Sequence, residues 1–219
     1  GRDLVLTRIA GVFEGPAAAS PKAWRLGLTG GASAHGAWSG LGPVRAGDAP
    51  GDAALKRAAA GFLLDARRLT LRAAGKNLAV ALDAPITLTP ETGGQVQVLA
   101  AGGPLYADGA GAFRLVSGGG GLPRAELSVA RYRLGPDGVR GDARLAAKGS
   151  LGPVVEGSVD VAGGFRLAHA ALEVAADRCA PVTAERLELG ANDVQAVSGE
   201  LCPQGGALFR LGDGGWRVK

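Results

Sequence analysis

Methionine is absent from all 219 residues, and the first residue is Gly. A translated chain starts with Met, so this one is expected to be a processed product or a segment of something longer. A leader or anchor ahead of it stays open. Aromatics are scarce, at 3 Trp, 2 Tyr and 5 Phe. Compact domains draw much of their buried area from aromatics, so Leu, Val and Ala must supply the interior here. A thin aliphatic layer suits an elongated sheet better than a deep globule. Long apolar runs are missing too. The longest, Ala58-Ala59-Ala60-Gly61-Phe62-Leu63-Leu64, is far short of the ~20 residues a transmembrane helix needs. Clustered charge is also lacking. The net charge is +4, but the Arg and Lys are spaced singly, often beside carboxylates as in Glu185-Arg186. The densest pairs, Lys56-Arg57 and Arg67-Arg68, have no aromatic stacking platform. Nucleic acid is not an expected partner.

What is abundant is glycine, 38 residues, with 12 Pro spread along the whole chain. That spread excludes a long coiled coil, and the lack of a three-residue period excludes collagen. Between the glycines the pattern has period two. The clearest segments are Trp24–Leu28, Leu69–Arg72, Leu78–Leu82, Ala125–Val129, Val155–Val161, Leu172–Val174, Leu187–Leu189, Phe209–Leu211 and Trp216–Val218. Apolar residues alternate with polar or small ones, as in half-buried antiparallel strands. Leu134-Gly135-Pro136-Asp137-Gly138-Val139 reads as a tight hairpin, and Gly163-Gly164, Gly205-Gly206 and Gly214-Gly215 punctuate similarly. About a dozen strands follow, mostly in a meander. In one sheet they would span roughly 60 Å at ~4.8 Å each.

One stretch departs from alternation. Leu55, Ala58, Ala59, Phe62 and Leu63 fall at helical spacing after Pro50, which predicts one amphipathic helix over about 52–65. Its apolar stripe is expected to cover the sheet. Thr29 to Gly47 reads as irregular Gly/Ala loop. Gly118 to Gly121 reads as a flexible connection and a soft boundary, without the Lys-Ser/Thr of a phosphate loop. Residues 1–219 form one architecture on this reading.

Chemistry-bearing residues are few. Cys179 and Cys202 lie at strand ends. They are either a disulfide, implying an oxidising compartment, or two unpaired buried thiols; the disulfide is the preferred reading. A loop of that size would contribute ~3 kcal/mol. Two Cys and two distant His make no metal spacing. His35 and His169 have no nucleophile motif beside them and read as surface residues. No nucleophile elbow or dinucleotide fingerprint occurs, and the carboxylates Asp160, Glu173 and Glu188 are scattered, so neither enzyme activity nor a cofactor is expected. Arg140-Gly141-Asp142 falls inside a predicted strand rather than at a loop tip.

A one-sided aliphatic sheet must bury its face in a closed core or keep an open groove for acyl chains, which are as apolar as Leu. The run from Gly118 to Cys202 resembles the YdbH branch of the AsmA-like proteins of Gram-negative bacteria, relatives of TamB. The resemblance rests on Gly-Gly-Gly-Leu122-Pro123 before a strand, on Leu134-Gly135-Pro136-Asp137-Gly138-Val139-Arg140-Gly141, on the Gly-rich meander after it, and on Cys179 with Leu201-Cys202-Pro203. The helical stretch leading into Leu69-Thr70-Leu71 is also similar. The loop at 29–47 has no counterpart in that pattern. The resemblance implies an elongated, curved antiparallel β-sheet with one amphipathic helix. It also implies a periplasmic protein tethered to the inner membrane by an anchor outside this segment. Such a protein carries phospholipid along a hydrophobic groove towards the outer membrane, with an outer-membrane lipoprotein as a partner. The candidate groove lining is Leu127, Val129, Val159, Val161, Leu172, Val174, Leu187 and Leu189. A one-residue slip would turn each outward. A structural or adhesive module with a closed core is the alternative, and a hydrolase on a β-solenoid is a third.

Overall fold

The computed structural model describes residues 4–20, 23–48, 50–151, 153–168, 171–189, 192–203, 207–212 and 215–218. His169, the turn at 205–206 and position 214 of the Gly214-Gly215 turn lie outside the described residues. The fold is mainly β, an elongated curved antiparallel sheet with one α-helix. The strands are β1 (Leu4–Glu14), β2 (Ala17–Ser20), β3 (Ala23–Trp38), β4 (Phe62–Ala74), β5 (Asn77–Leu82), β6 (Ile86–Pro90), β7 (Gln95–Ala100), β8 (Tyr106–Ala107) and β9 (Ala110–Gly119). They continue as β10 (Leu122–Gly135), β11 (Gly138–Leu151), β12 (Val154–Ala168), β13 (Ala171–Ala176), β14 (Ala180–Leu189), β15 (Asn192–Leu201), β16 (Phe209–Gly212) and β17 (Gly215–Val218). The helix α1 covers Pro50–Ala60.

Every pairing is antiparallel, in a meander interrupted where two short strands share one place. The long strands β3, β4, β9, β10, β11 and β12 follow one another, and shorter strands share the places between and beyond them. Thus β1 and β2 both pair with β3, β5 and β6 both pair with β4, and β13 and β14 both pair with β12.

The interruptions line up. β1 gives way to β2 at Gly15-Pro16, and β5 to β6 at Asp83-Ala84-Pro85, opposite the extra residue in β4 at Arg67-Arg68. The line continues through the gap between β7 and β8, the bulge at Ala130 in β10, and the paired Ala143 and Gly163. It ends where β13 gives way to β14 and β15 to β16. A bulge bends its strand and raises the local twist. A bulge or break repeated along one line creases the sheet into two panels. The first panel carries the hairpin turn at Gly119–Leu122 and the second the turn at Gly135–Gly138.

Three sequence expectations are corrected. The helix ends at Ala60, not near 65, because Phe62, Leu64 and Ala66 take up period two in β4, where Phe62 and Ala66 are buried. Thr29 to Trp38 is strand rather than loop. Its small residues reflect crowding: a side chain on Gly36 would run into the Phe62 ring, and one on Gly30 into Phe13 and the Val12 carbonyl. His35 therefore sits exposed on β3. Finally, Gly118–Gly121 is no flexible connection. Gly119, Gly120 and Gly121 all adopt left-handed φ, and Leu122 pairs back on Gly119 to close the β9–β10 hairpin. Those angles favour glycine because it has no Cβ.

The small core lies between α1 and the first panel. Eleven residues make too short a helix to persist alone. Ala53, Ala54 and Ala58 are buried on one side, and α1 touches β3, β6, β10 and β11. Ala34, Phe62 and Leu122 are buried in those strands and in β4 beside them. Lys56 on α1 donates to Asp48 at 2.7 Å, and Asp48 also accepts from the Arg45 backbone N–H. Those two hydrogen bonds, Lys56 first, hold the Asp48 carboxyl below the usual aspartate range.

Candidate functional site

Antiparallel pairing sets directly opposed residues on the same face, so the register can be followed across the sheet. Ala32 pairs with Ala66, Ala66 with Ile86, Ile86 with Val98 and Val98 with Leu115. Leu115 pairs with Leu127, Leu127 with Leu145 and Leu145 with Val161. This row places an apolar residue on each of eight successive strands, a path of roughly 34 Å. A parallel row runs Ala34, Leu64, Leu88, Val96, Ser117, Ala125, Ala147, Val159 and Val182. Its one hydroxyl, on Ser117, donates to the Pro123 carbonyl at 3.0 Å and so is satisfied within the fold. A third row holds Phe113, Val129, Ala143, Gly163 and Ala176 at the crease.

The opposite face differs in kind. One residue along each strand, the row reads Ser33, Asp65, Thr87, Gln97, Val116, Glu126, Ala146 and Asp160. Arg114 bonds Glu126 at 2.7 Å and Arg144 bonds Asp160 at 2.6 Å across neighbouring strands. The Arg144 hydrogen bonds lower the Asp160 pKa, and both Arg114 and Arg144 are held more firmly charged by their carboxylates. Such exposed pairs contribute little stability, but they mark this face as solvated.

The apolar face is not packed away. Leu115, Leu127, Leu145 and Val161 are only half-buried; the buried side chains of the rows are Ala34 and Ala66 near α1 and Val129, at 2% exposure, at the crease beside Phe113 and Ala143. A compact monomer of this 21.8 kDa mass exposes about 9,300 Å², whereas this chain exposes 13921 Å². Among the described residues there is no buried polar or charged side chain.

All eight sequence-predicted lining residues fall on the apolar face. Leu127, Val129, Val159 and Val161 belong to the rows above. Leu172 and Val174 oppose Leu167 and Phe165, which alternate in phase with Val161 on β12. Leu187 opposes Val154, whose side chain would obstruct a Cβ on Gly157, in phase with Val159. Leu189, two residues further on, is 52% exposed. The crease separates them, with Leu172 and Val174 on the second panel and the other six on or bordering the first. Sequence reading missed Ile86, Val98, Leu115 and Leu145. Their alternation is as regular, but only register shows that they extend the same row. A depression of about 470 Å³ lies on the second panel, where Leu26, Ala73 and Leu78 meet Arg25 and Arg72.

Cys179 and Cys202 form a disulfide, with Cα atoms 4.0 Å apart. Ala180 pairs with Leu201 beside them, so the bond staples the two breaks at the end of the crease. A disulfide fits an oxidising, extracytoplasmic location. Glu200 lies within 4.8 Å of both sulfurs, but sulfur held in an S–S bond is no thiolate ligand. No helix among the described residues is long and apolar enough to cross a membrane. No protein-family model, curated protein or solved structure matches the chain.

Proposed function

We propose that the chain is a segment of a periplasmic, inner-membrane-tethered bridge that carries phospholipid along this apolar β-groove towards the outer membrane. One observation carries the reading: an uninterrupted aliphatic row crosses eight strands, and all its members but Ala66 stay only half-buried. Acyl chains bury apolar surface without directional contacts, at roughly 25 cal/mol per Å². A face of Leu, Val, Ile and Ala with no stranded polar group suits them, and selectivity among chains would be low. The solvated opposite face keeps the segment soluble, and the disulfide supports an extracytoplasmic site. No catalytic group is needed on this reading. An outer-membrane lipoprotein is the partner this reading implies. A closed structural module is the competing account, and the large exposed surface speaks against it. Native mass spectrometry of the purified chain, with lipid extraction of the same sample, tests the proposal. Several phospholipids per chain, mixed in species, are expected. A lipid-free chain that also refuses added phospholipid would sink it.

A further inference from the structure

The second panel carries a charge pattern that an acyl groove does not use. Arg133 is paired with Arg140, and Arg140 with Arg166, directly across three strands. Arg166 opposes Glu173, which opposes Arg210. Glu173 is engaged by Arg210 at 3.3 Å. Among the described residues no carboxylate forms an ion pair with Arg133, Arg140 or Arg166, and all three are exposed. Of the acids on the neighbouring strands, Asp142 faces Arg131 at 3.7 Å and Asp160 is held by Arg144, while Asp137 stands exposed in the turn and bonds none of the three arginines. Like charges directly opposite each other destabilise a sheet. Elsewhere on this face the chain sets opposite signs beside each other, as in Arg114 with Glu126. Three adjacent arginines break that rule, and such local violations concentrate at functional sites.

The reverse side of the same margin is apolar. Leu134 opposes Val139, Val139 opposes Leu167 and Leu167 opposes Leu172. Leu134 is 48% and Leu167 43% exposed. The hairpin closes at Gly135–Gly138, just beyond Arg133 and Arg140. The margin therefore presents leucine on one face and guanidinium on the other, within one residue of the rim. Arginine stems are long enough to carry their heads around such an edge.

We propose that Arg133, Arg140 and Arg166 bind the phosphates of anionic phospholipid head groups. The proposal rests on the groove reading for where the acyl chains lie, while the arginine row stands on its own geometry. Guanidinium forks match phosphate oxygens in bidentate fashion, and the three Cα positions span roughly 10 Å. The phosphate can belong to a lipid lying in the groove or to a bilayer surface against the rim.

The test compares the full chain with its Arg133→Gln/Arg140→Gln/Arg166→Gln variant. The first probe is vesicles of phosphatidylcholine with or without phosphatidylglycerol, at low salt. The second is monomeric dihexanoyl-phosphatidylglycerol in solution. A basic residue near an anionic surface strengthens binding about fivefold, so losing three should weaken vesicle binding about 100-fold. Added salt should do the same to the wild type. Loss with vesicles alone supports a bilayer contact, and loss with both probes supports a carried lipid. Unchanged binding of both overturns the proposal. Removing the repulsion should leave thermal stability equal or higher, which separates this from misfolding. Uptake of an uncharged acyl dye is read in parallel. If neither protein takes the dye but phosphatidylglycerol binding still needs the arginines, the groove reading fails and the arginine site stands.

Discussion

Truncating Leu127 to Ala distinguishes an open face from a core. In a closed interior, Leu→Ala leaves a cavity and costs about 2.7–5.0 kcal/mol. Leu127 is half-buried, between Leu115 and Leu145, and on an open face no enclosed cavity remains. Only part of the transfer free energy is then lost, about 1 kcal/mol. Val129, at 2% exposure, is the internal standard: Val129→Ala removes two buried methyl groups and should cost about 2 kcal/mol. Urea titration followed by circular dichroism measures both. The midpoint should fall less for Leu127→Ala than for Val129→Ala, with unchanged slopes. In thermal melts the shifts should be about 2–4 °C and 4–8 °C for a chain of this length. The charged variant Leu127→Glu should keep its β signal and lose acyl-chain binding. A loss above about 3 kcal/mol for Leu127→Ala, or unfolding of Leu127→Glu, would refute the open-face reasoning.

Other outcomes follow from the same geometry. Reducing the Cys179–Cys202 bond opens a 23-residue separation, and melts with and without dithiothreitol should differ by about 3 kcal/mol on the chain-entropy account. Gly36→Ala drives a methyl into the Phe62 ring and should lower the unfolding free energy from urea titration by about 1–3 kcal/mol, as overpacking does. Asp48→Asn removes the negative charge that anchors α1 through Lys56. Because the folded-state pKa of Asp48 is depressed, its contribution is present above the ordinary aspartate pKa and lost as pH falls through the lower folded value. The melting temperatures of wild type and Asp48→Asn should therefore differ at pH 7 and converge in acid.

The strands were legible because alternation is local. Ala125–Val129 and Val155–Val161 read as strands from side-chain type alone and occupy β10 and β12. The helix start was legible at Pro50, but its end was not. Phe62 and Leu63 fit a helical stripe as well as a strand, and only the pairing of Phe62 with Gly36 and Pro90 decides between them. Residues 29–38 looked like loop because Gly has low strand propensity; the reason for those glycines, the close approach of Phe13 and Phe62, is tertiary. The crease was invisible, since bulges at Arg67-Arg68 and Ala130 show only against a partner strand. Two of the three arginines in the row were within reach. A turn at Pro136-Asp137 sets Arg133 opposite Arg140, but Arg166 needs the β11–β12 register.

The account stands or falls on which face meets lipid. A photo-crosslinking amino acid placed at Leu145 or Val161 should, on irradiation with phospholipid, give lipid adducts readable by mass spectrometry. The same group at Ala146 or Asp160, one residue away on the solvated face, should give none. Adducts from both faces alike, or from neither, would contradict an apolar groove that holds acyl chains.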